Sequence, residues 1–275
     1  MTRRRFYAPP EAFDFHARQV SLGVDEARHL REVLRLKSGD GVSVFDGAGN
    51  EYNAVVVKAM RDSAVLELGE ITQPASQESP LHLTLALALL KGDKFDLVVQ
   101  KATELGVNEL VPVMTKFADI RLHDPSDASK RMARWQRIAL EAAKQSGRAA
   151  LPEMHAPVPF HELLQRETAD GALRVMFAER GGQSMSDLPE TVSTRVASLL
   201  VGSEGGWAPE EIASAEEILA THLDACMCAG IHADLFDAVD ESLEFAIRHE
   251  KAYEPIPLAA RWHGALVIMD ERDAD

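Results

Sequence analysis

The run Leu199-Leu200-Val201-Gly202-Ser203-Glu204-Gly205-Gly206-Trp207-Ala208-Pro209-Glu210-Glu211-Ile212 decides how the chain is read. An apolar segment stops at a Gly-x-Glu-Gly-Gly turn, and a proline followed by two acids opens a helix. Proline suits the first helical position because its missing N–H would be unpaired there anyway, and carboxylates suit the positive end of the helix dipole. Buried strand, glycine turn and helix start, in that order, build ligand sites at the carboxyl ends of strands in α/β proteins. Glycine lets the backbone take positive φ and lets a ligand approach closely. Amides left free before a helix favour anionic or hydrogen-bonding groups. No Lys-Ser/Thr follows, so this is no Walker loop, and the spacing fails Gly-x-Gly-x-x-Gly. The turn points to a nucleotide-like ligand; its alternative is a plain strand-to-helix connection.

The surroundings set that turn in an α/β domain. Leu81–Leu90 is a continuous apolar run, the mark of a strand buried on both faces. Asp93–Leu105 reads as a helix ended by Gly106, Val107–Met114 as a strand, and Arg131–Gln145 as a helix with Trp135, Ile138, Ala139 and Ala142 on one face. Leu173–Ala178 and Val196–Val201 are further strands. The alternation predicts a mainly parallel sheet. Ahead of it, Gln73–Pro80 is polar and carries two prolines, which marks a linker. Before the linker, Val42–Phe45, Tyr52–Lys58 and Ala64–Leu68 are short strands, and 25–36 reads as one amphipathic helix with Leu30, Val33 and Leu34 inward and Arg28, Arg31 and Arg35 on another face. That pattern predicts a small β-barrel. The expected domains are therefore 1–72, 80–218 and an unassigned acidic tail, 219–275.

Apolar residues make up 46% of the 275, which excludes a disordered chain. No apolar run reaches membrane-spanning length, and Met1-Thr2-Arg3-Arg4-Arg5-Phe6 lacks the apolar region of a signal peptide, so the expected location is the cytoplasm. Cys226 and Cys228, one residue apart, suggest no disulfide framework. The net charge of −15 argues against a nucleic-acid partner until its distribution is read. Residues 153–275 hold 24 acids against 8 bases, while the front of the chain is near neutral. Local potential governs binding to phosphate more than the total does, so a basic face on the front half stays open.

Two further groups bear chemistry. Leu89-Leu90-Lys91-Gly92-Asp93-Lys94 places lysines where a buried strand gives way to a helix, fit to hold phosphate or merely solvated. Gln145-Ser146-Gly147-Arg148 closes the Trp135 helix, with Gly147 as a C-cap and Arg148 as a possible anion contact just beyond. With His29-Leu30-Arg31-Glu32-Val33-Leu34-Arg35, Lys91-Gly92-Asp93-Lys94-Phe95-Asp96 and Gln100-Lys101-Ala102-Thr103-Glu104-Leu105-Gly106-Val107, these motifs and the glycine turn occur in the order found in bacterial 16S rRNA (uracil-N3)-methyltransferases of the SPOUT superfamily. The chain resembles that family over about residues 3–218.

The resemblance implies a PUA-like RNA-binding domain followed by an α/β domain with a deep trefoil knot, an exception to the rule against threaded chains. It implies S-adenosylmethionine (SAM) as cofactor, no metal, no membrane, a homodimer, and 16S rRNA or the small ribosomal subunit as partner. By the same match Leu200, Val201, Gly202, Glu204, Gly205 and Gly206 fall on the cofactor loop, and Arg31, Arg35, Lys91, Lys94 and Arg148 on the RNA side. Uracil N3 carries a proton, so methylation needs alignment with the methyl group and loss of that proton. Glu204 is a candidate base or a cofactor anchor; Arg148 is a candidate to steady the developing anion or bind phosphate.

The tail departs from the family pattern. Where a second cofactor segment is expected, Ala225-Cys226-Met227-Cys228-Ala229-Gly230-Ile231-His232 stands instead, and residues 219–275 hold 12 acids against 4 bases. A shifted reading frame, a rearrangement and a divergent ending all account for it. Within the tail, Phe236–Ile247 suits an amphipathic helix and Gly264–Met269 a strand. His222, Cys226, Cys228 and His232 do not have standard zinc spacing and are read as chance placement. The departure leaves a second function open, a catalytically inactive RNA-binding relative, and a third, a nucleotide-sensing protein with no RNA role.

Overall fold

A computed structural model describes residues 4–118, 120, 124–166, 172–178, 195–220 and 265–269. The chain packs as two units, Met1–Glu78 with Leu140–Leu151, and Ser79–Ala139 with Pro152–Asp275.

The first unit is a curled six-stranded sheet made of β1 (Arg5–Tyr7), β2 (Phe13–Asp14), β3 (Gln19–Leu22), β4 (Gly41–Phe45), β5 (Glu51–Ala59) and β6 (Ala64–Thr72), in the order β1-β4-β5-β6-β3-β2. Its curl brings Phe13 of the edge strand β2 against Tyr52 of β5, with ring centroids 5.5 Å apart. Alternation sets the core: Val20 and Leu22 point inward on β3, Val44 on β4 and Leu66 on β6, each at most 1% exposed. β1 and β3 escape the periodicity reading because they span three and four residues.

The helix expected over 25–36 is a correction. α1 covers Val24–Arg28 and passes into a π turn, His29–Val33, closed by the Leu34 N–H donating to the His29 carbonyl at 3.0 Å. A π turn inserts one residue and rotates the rest of the helix by roughly a quarter turn. The effect shows in burial: Leu30 stays fully buried, Val33 swings out to 64% exposed, and Leu36 comes in at 6%. Arg35 then ends the segment in the left-handed region at φ 52°.

The second unit holds β7 (His82–Ala88), α2 (Lys94–Leu105), β8 (Glu109–Met114), α3 (Pro125–Ser146, whose residues after Ala139 belong to the first unit), β9 (Glu153–Met154), β10 (Val158–Pro159), α4 (Phe160–Leu164), β11 (Leu173–Phe177), β12 (Val196–Val201), α5 (Pro209–Ala220) and β13 (Ala265–Met269). The strands run in the order β10-β8-β7-β12-β11-β13, with β9 also on β8, and every pair is parallel. The strand read at Gly264–Met269 is β13, in register with β11.

Both faces of this sheet are covered, which is why its strands are apolar throughout. Leu83, Leu85 and Leu87 face α2 and α3, where Phe95 and Trp135 meet at 4.4 Å. Ala86 and Leu200 face α4 and α5 with Phe160, Trp207 and Ala215. The threaded segments that a trefoil knot requires, the proposed Phe236–Ile247 helix and the His/Cys group at 222–232 lie outside the described residues.

Candidate functional site

β7 and β12 are neighbours in register, Leu87 beside Val201. The helix after β7 packs on one face of the sheet and the helix after β12 on the other. Adjacent strands whose connections leave to opposite faces open a crevice at their carboxyl ends. The two motifs singled out in the sequence, Lys91–Lys94 and Gly202–Gly206, come directly after those two strands. They meet there: the Lys94 ammonium donates to Glu204 at 2.8 Å, with the side chains 49% and 36% exposed. Lys91 is exposed at the same edge, and its carbonyl accepts from the Lys94 N–H.

The glycine loop is shaped by its neighbours. Gly206 takes φ +69°, and its N–H donates to the Ser203 carbonyl at 2.8 Å, closing the turn. A Cβ on Gly205 would stand 3.0 Å from Phe117 Cβ, so the loop lies directly on the segment that leaves β8. Trp207 is buried, donates its Nε1–H to the Phe177 carbonyl at 2.6 Å and packs against Phe160. Glu211 fixes the helix start: one carboxylate oxygen accepts from the Ala208 N–H at 3.0 Å, the other from the Lys116 N–H at 2.8 Å. The Lys116 ammonium bonds Glu210 and holds that carboxyl below the usual range.

Leu200 and Val201 are buried in the strand, Leu200 on the face of α5. Their side chains are core, and the loop begins after them. Ser203 and Thr115 are residues the sequence reading passed over. Both are buried, with hydroxyl oxygens that have no hydrogen-bond partner among the described residues. No motif marks a lone serine or threonine, so only packing could single them out.

The remaining site residues belong to the first unit. Arg31 is half-buried, donating to the Met60 carbonyl at 3.0 Å and to Glu32 at 2.6 Å. Arg35 is exposed. Arg148 is built into the unit: its side chain is 2% exposed and grips Glu78 through Nε at 3.0 Å and Nη2 at 2.7 Å. The same unit carries a group of packed aromatics, with Phe13 and Phe15 stacked, Tyr52 tilted against both, and Phe15 61% exposed. Among the described residues no group of three or more His, Cys, Asp or Glu is placed to hold a metal ion, and no helix is long and apolar enough to cross a membrane.

Comparison with known proteins agrees with this geometry. Residues 77–224 match the model of an RNA methyltransferase domain, and residues 22–69 that of an RNA methyltransferase PUA domain. The chain is 34% identical to ribosomal RNA small subunit methyltransferase E of Synechocystis, over 71% of this chain and 63% of the relative, so it spans under two thirds of that protein's length. It is 31% identical to the Bacillus subtilis protein of the same name, over 70% of this chain and 76% of the relative. A solved structure of a ribosomal RNA small subunit methyltransferase E from Neisseria gonorrhoeae, bound to S-adenosyl methionine, superposes with a TM-score of 0.70 at 30% identity, covering 78% of this chain and 86% of that one.

Proposed function

The chain belongs to the ribosomal RNA small subunit methyltransferase E family, and from that premise we propose that it moves a methyl group from SAM to N3 of a uridine in 16S rRNA. The observation that carries the reading is the junction of the two motifs at the β7–β12 crevice, where Lys94 meets Glu204 beside the glycine loop. The loop fits the cofactor: it offers a tight turn at a strand end, a carboxylate, and a buried serine hydroxyl with no partner among the described residues. When bound, SAM supplies an electrophilic methyl on a sulfonium.

What the chain's own residues supply is orientation and proton handling. Glu204 stands where it either accepts the N3 proton or anchors the cofactor, and Lys94 fixes its carboxylate. The target base leaves its stack, or comes from a single strand, to enter such a crevice. Residues 80–218, apart from 140–151, which pack in the first unit, act as the catalytic domain and residues 1–72 as the docking domain, with Arg31, Arg35 and Lys91 on the RNA side. Lys91 serves phosphate as a point charge, whereas Arg148, gripped by Glu78, serves the RNA through the fold of the first unit. The protein works as a homodimer, a reading supported by the family resemblance alone, and in the cytoplasm, a reading supported by an N-terminus without the apolar region of a signal peptide.

The test is transfer of labelled methyl from SAM to small subunits assembled without modification and to free 16S rRNA, with nucleoside analysis of the product. Label recovered as 3-methyluridine is the expected result. No label in either RNA overturns the enzyme reading, and a folded protein that also fails to bind SAM favours the inactive relative, which lacks a complete cofactor pocket.

A further inference from the structure

Phe117 stands out by where it is exposed. Among the described residues six other large hydrophobic side chains are exposed, and all six belong to the first unit. Phe117, 45% exposed, is the one in the second unit. A phenyl ring held in water is unfavourable, since apolar surface gains by leaving water. Something that covers the ring part of the time removes that cost.

The place of the ring is fixed. Thr115 and Ala118, on either side of Lys116-Phe117, are each 4% exposed, so the chain is anchored immediately before and after. The Lys116 N–H donates to Glu211 at 2.8 Å and its ammonium bonds Glu210, which pins the same backbone to the start of α5. Phe117 Cβ and the Phe117 carbonyl oxygen lie 3.0 Å and 3.4 Å from where a Cβ on Gly205 would stand. The residue therefore rests on the glycine loop, at the position that follows Glu204. Glu204 is the exposed carboxylate held by Lys94 at the β7–β12 crevice.

A base drawn out of its stack loses contact on its flat faces. Proteins that take up unstacked bases restore that contact with aromatic side chains and read the polar edge by hydrogen bonds. An exposed phenyl on a pinned backbone, beside a loop that presents a carboxylate and its lysine, offers both kinds of contact. We propose that Phe117 is the stacking platform for the target uracil, taking one face of the extruded ring and leaving the edge that carries N3 free to meet the polar groups of the crevice. The proposal rests on the reading of this crevice as the methyl-transfer site, and it concerns the RNA substrate, not the cofactor.

The test separates stacking from support of the loop. Phe117→Leu and Phe117→Tyr are compared with the wild type by labelled methyl transfer from saturating SAM to unmodified small subunits, by calorimetric titration with SAM, by thermal unfolding and by sedimentation. Removing an aromatic ring from under a base costs roughly 5- to 150-fold. Phe117→Leu, which keeps apolar bulk and loses the aromatic plane, is expected to lower kcat/KM for the small subunit within that range, at wild-type SAM affinity and melting temperature. Phe117→Tyr, which keeps the plane, retains most of the wild-type value. Full activity in Phe117→Leu, or an equal loss in Phe117→Tyr, overturns the proposal while wild-type transfer keeps the site reading intact. A loss of SAM affinity as large as the loss of activity means that the ring serves the cofactor, and a changed oligomeric state means that it faces a second copy of the chain; each overturns the proposal. Wild-type protein that transfers no methyl group overturns both.

Discussion

Arg5 has 3% of its side chain exposed and nearly every donor direction used. Its Nε donates to Glu51 at 3.0 Å, its Nη1 to the Ala143 carbonyl at 3.0 Å and its Nη2 to the Arg148 carbonyl at 2.5 Å, while the guanidinium lies 4.0 Å over the Phe45 ring. Together with Lys144–Glu26 and Arg148–Glu78, it holds residues 140–151 within the first unit. Two charges taken out of water are stable only while both are present. Glu51→Ala, which leaves Arg5 buried and uncompensated, is expected to lower stability by about 3–5 kcal/mol. Arg5→Met with Glu51→Leu is expected to recover only part of that loss, because the buried Ala143 and Arg148 carbonyls then lose a donor. Urea unfolding of the two variants checks the pair, and a small loss in Glu51→Ala alone would show that water reaches Arg5. None of this network is legible in the sequence. Its partners lie as far as 143 positions apart, and an arginine that binds phosphate looks the same in a sequence as one that binds a carbonyl. That is why Arg148, read as an anion contact beyond a C-cap, turns out to grip Glu78.

At the scale of elements the chain is far more readable, because burial on both faces leaves a mark in every residue of a strand. β7, β8, β11 and β12 fall within the apolar runs that predict them, and α2 ends at Gly106, which takes φ +101°. The glycine turn at 202–206 is legible for the same reason: a turn between a buried strand and a capped helix leaves few alternatives. The element that misleads is the helix at 25–36. Its periodicity is correct through Leu30, but the inserted residue of the π turn shifts the phase, and no composition rule announces such an insertion. The turn after β12 gives the element-scale prediction. Gly206→Ala places a side chain at φ +69°, where L-residues lose about 1–2 kcal/mol. Gly41→Ala serves as the control, since a Cβ there meets nothing within 4 Å. Denaturant midpoints should fall for Gly206→Ala and hold for Gly41→Ala; equal midpoints would mean that the loop adapts at no cost.

For the whole molecule the governing quantity is charge. The net −15 at pH 7 lies almost wholly in residues 153–275, so repulsion eases as pH falls toward the sequence pI of about 5.1. One group in the second unit works against that trend. Glu109, at the start of β8, accepts from His82 Nε2 at 2.6 Å and from His155 Nε2 at 2.8 Å. Burial pushes its carboxyl up, but the hydrogen bonds from the two histidines outweigh this and hold it below the usual carboxylate range. A carboxylate depressed in the folded state adds stability above its unfolded pKa and loses it as pH falls through the lower, folded one. The repulsion common to both proteins cancels in a comparison of wild type with Glu109→Gln. The wild type is therefore expected to be the more stable at neutral pH, with the gap closing as pH drops through the carboxylate range. Unfolding midpoints in urea from pH 7 down to the acid limit measure that gap. A difference that stays constant with pH would mean that the loss comes from packing, and that the charge on Glu109 contributes nothing to the joining of β7, β8 and His155.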